Sequence, residues 1–310
     1  MSTLYLTHPA FKEHDTGPSH PERPDRMRAI DAVMEHEVFN PLTREDAPKS
    51  DFEVLKLVHP EEYIEAVRAA SPRRGHVHLD GDTVMSPGSL EAAMRAVGAG
   101  IRAVDAVMTG EAQNAFCSVR PCGHHAEPSR AMGFCIFSSI AIAGKYAREK
   151  HGAERIAVVD FDVHHGNGTQ AAYWNDKDLF FASTHQMPLF PGTGAPNETG
   201  VADNIVNAPL RSGDGGEKFK AAFNERILPA LRNFRPDILL ISAGFDAHRD
   251  DPLASLMLVE KDFGWATAKL LEIAEETAGG RVVSMLEGGY DLRGLAGSVA
   301  VHVKTLMEAS

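Results

Sequence analysis

Short apolar runs alternate with amphipathic stretches along most of this chain. Seven runs, at residues 4–7, 115–119, 156–160, 179–183, 205–208, 238–242 and 282–286, read as strands. Between them, residues 90–108, 137–149, 217–231, 262–276 and 295–307 place apolar side chains at helical spacing. Strands that alternate with helices predict a parallel sheet covered on both faces. Such strands are buried on both sides and should be continuously apolar, as Ile238-Leu239-Leu240-Ile241 is. Residues 15–24, 71–87 and 186–200 are rich in Pro, Gly, Asp and His and read as loops. There is no repeat, low-complexity tract or long linker. The expectation is one α/β domain over 1–310, with a central, mostly parallel sheet of about eight strands.

Polar clusters follow several of these strands, where sheets of this kind bind ligands. After the run ending at Val159 comes Asp160-Phe161-Asp162-Val163-His164-His165-Gly166-Asn167-Gly168. Strand alternation would start Asp160, Asp162 and His164 on one side. Two carboxylates and an imidazole are costly to bury unless they bind a cation or one another. After the strand near Ser242 stands Ala243-Gly244-Phe245-Asp246. Asp162, His164 and Asp246 would form three protein ligands with a fourth position open, as a catalytic zinc requires. Taken alone, Asp246 reads equally well as a helix N-cap.

Two further segments complete the set. Arg120-Pro121-Cys122-Gly123-His124-His125 offers imidazoles suited to proton transfer near neutral pH. Asp160 and Asn167 are available to fix their tautomers. In Leu286-Glu287-Gly288-Gly289-Tyr290 a phenol could donate to a developing oxyanion, on glycines that would let the tyrosine swing.

With these four segments in order, and with His14-Asp15-Thr16-Gly17 and His20-Pro21-Glu22-Arg23-Pro24 before them, nearly the whole chain resembles the zinc-dependent histone deacetylase-type amidohydrolases of the arginase/deacetylase fold. The early signature and Ser242-Ala243-Gly244-Phe245-Asp246 resemble the class II branch and its bacterial relatives. The resemblance implies zinc on Asp162, His164 and Asp246. It implies His125 as general base and then acid, and His124 as an electrostatic partner paired with Asp160. Asn167 would face His125, and Tyr290 would polarise the scissile carbonyl. Gly133, Phe134 and Phe190 would wall an acyl-lysine tunnel, and Arg26 would border an acetate-release cavity. A potassium ion would sit on Asp160, Ser183 and Thr184 with the carbonyls of Asp162 and His164. Three departures are visible: Cys122 replaces a common proline, Ser138-Ser139 replaces Asn-Asn, and no large insertion precedes residue 80.

The implied reaction is deacetylation of N-ε-acetyl-lysine in a peptide or protein, giving acetate and a free amine. Acetylpolyamines and small amides are the alternatives. Leu253 stands where a polyamine-selective relative has a glutamate, which favours acyl-lysine. Asp82, in Asp80-Gly81-Asp82-Thr83, is a candidate for gripping substrate at the rim. A two-manganese, arginase-like site needs more carboxylates than Asp246-Ala247-His248 supplies. A non-catalytic acyl-lysine binding module should lack a ligand, a histidine or the tyrosine, and all are present.

Composition narrows the setting. Forty-three acidic against 31 basic residues give a net charge of -12, which argues against nucleic acid as partner. Cys117, Cys122 and Cys135 have neither paired count nor CxxC spacing, so no disulfide framework or thiolate metal site is expected. A redox role for Cys122 and Cys135 is a lesser reading than buried, inert thiols. The start, Met1-Ser2-Thr3-Leu4-Tyr5-Leu6, lacks a signal-peptide pattern, and residues 135–144 are too short to span a bilayer. A cytoplasmic protein without membrane partner is expected.

Overall fold

A computed structural model describes residues 2–310; Met1, which opens the N-terminal run read above, lies outside them. The strands are β1 (Thr3–Thr7), β2 (Thr43–Asp46), β3 (Val77–His78), β4 (Val84–Met85), β5 (Asn114–Cys117), β6 (Ile156–Asp160), β7 (Leu179–Gln186), β8 (Ile205–Leu210), β9 (Ile238–Ala243) and β10 (Val282–Leu286). Eight of them form one sheet in the order β2-β1-β5-β10-β9-β6-β7-β8, and every neighbouring pair is parallel. β3 and β4 make a small antiparallel hairpin inside the expected loop 71–87.

The helices are α1 (Asp25–Met34), α2 (Glu61–Ala70), α3 (Ser89–Thr109), α4 (Ser139–His151), α5 (Asn167–Tyr173), α6 (Gly216–Ala222), α7 (Leu228–Phe234), α8 (Glu260–Ala278) and α9 (Leu292–Glu308). α3, α4 and α5 cover one face of the sheet, and α1, α9, α8 and α7 the other. The fold is thus a single α/β domain with an eight-stranded parallel sheet between two helical layers. Ile238 to Ile241 are fully buried, as their unbroken apolarity requires.

Three differences from the sequence reading have physical causes. β2 is a polar edge strand, Thr43-Arg44-Glu45-Asp46, paired only to β1, so no apolar run marks it. The helix expected over 217–231 is broken by a π segment at Phe223–Ile227 between α6 and α7. Pro229, in the first turn of α7, has no N–H to continue a regular ladder. α1 buries Met27, Ile30 and Met34 on one face, a short stripe within a segment read for its motif.

The order of strands positions the chemistry. β5, β10, β9 and β6 lie side by side at the centre of the sheet. The His124-His125, Tyr290, Asp246 and Asp162–His164 segments leave their carboxyl ends in that order. Among the described residues, no helix is long and apolar enough to cross a membrane.

Candidate active site

β6 stops at Asp160, so Asp162 and His164 converge by turn geometry rather than by strand alternation. The Asp160 carboxylate accepts the amide of Asp162 at 3.0 Å, and the Asp162 carboxylate accepts that of His164 at 2.8 Å. Each short acidic side chain thus folds the chain back two residues on, an Asx turn. Asp246 follows β9 with no helix after it, so it is not an N-cap. Its Oδ1 accepts the amide of Val163 at 2.8 Å, tying the two loops together. One ligand atom from each of Asp162, His164 and Asp246 falls within a 4.8 Å cluster, and all three residues are buried.

This donor set fits a divalent cation. His164 Nδ1 lies 3.2 Å from Asp162 Oδ1 and 3.1 Å from Asp246 Oδ2, so one nitrogen faces two carboxylates. Burial would lower the His164 pKa, but hydrogen bonds to Asp162 and Asp246 push it up to about 10. Burial, and then the charge of Asp162, pushes Asp246 up to about 7. These buried, crowded ligands thus retain protons that free groups would lose, and a bound metal ion would take the place of those protons. Gly288 keeps the space open. A Cβ there would lie 2.6 Å from Asp162 Oδ2 and 2.8 Å from Asp246 Cγ.

The two adjacent histidines differ in character. His124 Nδ1 is 2.9 Å from Asp160 Oδ2. Burial opposes charge on His124, but Asp160, Asp162 and Glu287 outweigh it and raise the imidazole well above its ordinary value. His125 Nδ1 is 2.8 Å from Asn167 Oδ1, and the Asn167 amide nitrogen donates to Glu127 Oε1 at 2.8 Å. With an oxygen opposite Nδ1, that nitrogen carries the proton and Nε2 is left for the cavity. Burial, and then the neighbouring His124 and His164, hold His125 well below its ordinary pKa. One histidine is therefore a cation and the other a neutral base.

Tyr290 is clamped rather than free to swing. Its backbone N–H and that of Asp291 donate to Asp251 Oδ2 at 2.7 and 3.2 Å, while Asp251 Oδ1 accepts the amide of Leu253 at 3.0 Å. Arg26 lies 5.0 Å over the phenol ring and donates to the carbonyls of Gly289 and Glu287, both at 2.6 Å. Arg26 also pairs with Glu22, which accepts from Arg120 as well. The guanidinium of Arg26 is thus buried behind Tyr290, with each of its three nitrogens donating one hydrogen bond. Burial, followed by Cys122 and Asp246, raises the Tyr290 phenol well above its ordinary pKa, so it is a proton donor.

A cavity of about 220 Å³ opens onto these groups. His125, His164 and Tyr290 form its inner end, Phe134, Leu189, Phe190 and Leu253 its apolar sides, and Gly133 and Asp82 complete it. Phe190 stands edge-on to His125 with ring centres 5.1 Å apart and is 40% exposed. Gly133 has φ +57, and its missing side chain leaves room for the His125 ring. Asp82 Oδ1 accepts the amide of Gly133 at 3.2 Å, so Asp82 builds the wall while facing the cavity. A larger surface cleft between α8 and α9 is lined by Glu272, Glu275 and Glu308 but has no convergent acid, base and donor set.

Of the expected potassium groups, Ser183 stands opposite Asp160 in the register of β6 and β7. His185 Nε2 sits 3.0 Å from the Gly194 carbonyl and must donate there, so Nδ1 accepts from the Ser183 hydroxyl at 2.9 Å. That leaves the oxygen lone pairs of Ser183 unused. The Thr184 hydroxyl is buried without a partner. Glu22, Glu127, Asp251 and Leu189 also belong to the site or hold it, and no motif in the sequence assigns them a role there. The three carboxylates act through contacts to distant residues, for which spacing offers no signal. The Cys122 and Cys135 sulfurs, 3.2 Å apart beside Glu287, form a juxtaposition that the spacing does not announce.

Known proteins share this architecture. The family model for the histone deacetylase domain matches residues 20–306. A histone deacetylase-like amidohydrolase of Pseudomonas aeruginosa is 42% identical, over 87% of this chain and 72% of its own length. A probable deacetylase of Archaeoglobus fulgidus is 39% identical, over 95% and 83%. Histone deacetylase 10, chloroplastic, of Oryza sativa subsp. japonica is 39% identical, over 96% and 71%. The crystal structure of the HDA15 HD domain superposes with a TM-score of 0.93 at 33% identity, over 99% of this chain and 89% of that one. Extent of match, fold and the order of motifs along the chain agree: this protein belongs to the histone deacetylase family.

Proposed function

We propose that the chain hydrolyses linear acyl amides with one zinc ion held by Asp162, His164 and Asp246, and that its main substrate is N-ε-acetyl-lysine in a peptide or protein. The observation that carries this reading is the meeting of that ligand set with a neutral His125 and a protonated Tyr290 at the inner end of one narrow cavity. Bound zinc would supply Lewis acidity toward the amide carbonyl and make a water in the site more acidic.

The chain's own groups account for the remaining steps. His125 Nε2 takes the proton of the attacking water and returns it to the leaving amine. His124, held cationic by Asp160, favours the negative charge that develops beside it. The Tyr290 hydroxyl donates to the oxyanion, and the clamp of Asp251 and Arg26 fixes its position in advance. Phe134 and Phe190 exclude water from the alkyl chain of the substrate.

Leu253 in the cavity wall offers no partner to a second amine, which supports acyl-lysine over an acetylpolyamine. The Asp82 carboxylate is the one observation on the polyamine side, since it faces the same cavity. A potassium ion beside Asp160 is supported by the free lone pairs of Ser183 and the unpartnered Thr184 hydroxyl. Asn167 stands opposite His125, where the resemblance implies Asp in class I relatives and commonly Asn in class II, and this supports kinship with the class II branch. Three free cysteines fit a cytoplasmic setting, and the net charge of -12 fits a protein without nucleic-acid partner.

The test is acetate release from an acetyl-lysine peptide by the zinc-loaded protein and its Tyr290→Phe variant. Losing the donor should lower kcat by roughly 10²–10³, with KM little changed. A variant with wild-type kcat refutes the role of Tyr290, and absence of turnover by the parent protein refutes the substrate.

A further inference from the structure

Asn167 holds the Nδ1 proton of His125, yet an asparagine has two ends of similar shape. Turned one way, its oxygen accepts from Nδ1 and leaves Nε2 as the base. Turned the other way, its NH₂ donates to Nδ1, and the imidazole proton must move to Nε2. The second state has no lone pair facing the cavity. Something beyond Asn167 must choose between these states.

The Asn167 amide nitrogen has two neighbours. Met132 Sδ, at 3.3 Å, is a thioether and a weak acceptor that discriminates poorly. Glu127 Oε1, at 2.8 Å, is a carboxylate oxygen that can only accept. In the flipped state the Asn167 oxygen would face that carboxylate oxygen, with no proton between them.

Glu127 is placed for this and for little else. It lies two residues after His125, in a turn closed by the backbone pair Glu127–Arg130. It is half-buried, and among the described residues it forms no ion pair. The first turn of α5, which carries Asn167, is docked on the same loop, since the amides of Gly168 and Thr169 donate to the carbonyl of His124 at 2.9 and 3.2 Å. The distance from Glu127 to Asn167 is therefore set from both sides.

We propose that Glu127 is a positioning residue that fixes the Asn167 amide with its oxygen toward His125, and so sets the imidazole tautomer used in catalysis. The proposal rests on the reading of His125 as the base. It makes Glu127 act through two hydrogen bonds without touching substrate.

The experiment uses zinc-loaded protein with selectively nitrogen-labelled histidine, in the parent and in Glu127→Ala, Glu127→Gln, Asn167→Asp and Glu127→Ala/Asn167→Asp. Imidazole nitrogen NMR shifts report which nitrogen of His125 carries the proton, and kcat and KM are measured on an acetyl-lysine peptide. Glu127→Ala should show a mixture of tautomers and lose about tenfold in kcat, a part of what general-base catalysis contributes, with KM nearly unchanged. Glu127→Gln keeps an acceptor oxygen and should recover most of the loss. A carboxylate at 167 has no wrong end, so in the Asn167→Asp background Glu127→Ala should cost nothing or raise kcat by relieving repulsion. A His125 that stays wholly Nδ1-protonated in Glu127→Ala overturns the proposal, as does an equal loss in both backgrounds. A tautomer shift with unchanged kcat supports the positioning role and overturns His125 as the base.

Discussion

Gly288 is the most informative place to perturb the metal centre, because alanine there adds one methyl group and removes no ligand. Its φ lies outside the left-handed region, so alanine is not barred by backbone conformation. Its Cβ, however, would strike Asp246 Oδ2 most closely of all and would lie 2.6 Å from Asp162 Oδ2 and 2.8 Å from Asp246 Cγ, against the 3.4 Å at which ordinary contact starts. The last two are shortfalls of 0.8 and 0.6 Å and the contact to Asp246 Oδ2 is closer still, and both carboxylates are themselves held by the amides of His164 and Val163. Catalytic constellations tolerate displacements of about 0.5 Å. Gly288→Ala should therefore weaken zinc binding by roughly 10–100-fold, the usual cost of disturbing the groups around metal ligands. It should lower kcat/KM about 10²-fold or more, while overpacking costs about 1–3 kcal/mol of stability. Zinc affinity by chelator competition and kcat/KM on an acetyl-lysine peptide read the first two. Gly215→Ala, whose nearest neighbour would be an ordinary 3.4 Å away, is the control. If Gly288→Ala bound zinc and turned over like the parent, Asp162 and Asp246 would not be ligands held at this spacing.

Other expectations follow from the same geometry. Asp251→Ala strips the acceptor from the amides of Leu253, Tyr290 and Asp291, each worth about 1–3 kcal/mol if left buried and unpaired; kcat should fall more than KM rises and the melting temperature should drop, and an unchanged melting temperature would count against the clamp. Asp246 and His164 both hold a proton in the folded, metal-free protein at pH values where the unfolded chain has released it, with folded pKa values of about 7 and about 10. Their contribution to stability is present below the unfolded values and is lost as pH rises through the folded ones. The thermal stabilisation conferred by zinc should therefore be larger near about pH 8 than near about pH 5.5, where protons compete for the ligands, and a gain independent of pH would contradict the charge balance derived for the site. Leu253→Glu places a carboxylate at the cavity wall and should shift the ratio of kcat/KM toward N-acetylputrescine over the peptide by about tenfold; an unchanged ratio would move substrate choice to Asp82.

Much of the fold is legible in the sequence because buried parallel strands are continuously apolar. All seven expected runs are strands of the sheet, and the four followed by the site segments sit at its centre. The eighth strand, β2, is not legible, since an edge strand with one neighbour needs no apolar face. The groups that would do chemistry are legible as residue types at strand ends. Those that hold them are not. Glu22, Glu127 and Asp251 are carboxylates that accept from segments far away in the chain, and an acid in a loop looks the same whether it is solvated or clamps Tyr290. In the sequence Gly288-Gly289 suggests freedom for the tyrosine, whereas a side chain at 288 would strike two carboxylates. Pro229 marks the break between α6 and α7 from within otherwise helical spacing.

The central claim is that Asp162, His164 and Asp246 hold one metal ion on which amide hydrolysis depends. Its most direct measurement is acetate release from an acetyl-lysine peptide by protein stripped with a chelator and titrated with zinc. The account predicts no turnover when stripped, and a rise that ends at one zinc per chain and is absent from Asp246→Ala. Turnover that survives chelation, or that never appears at any zinc content on peptide or small amide, would contradict it.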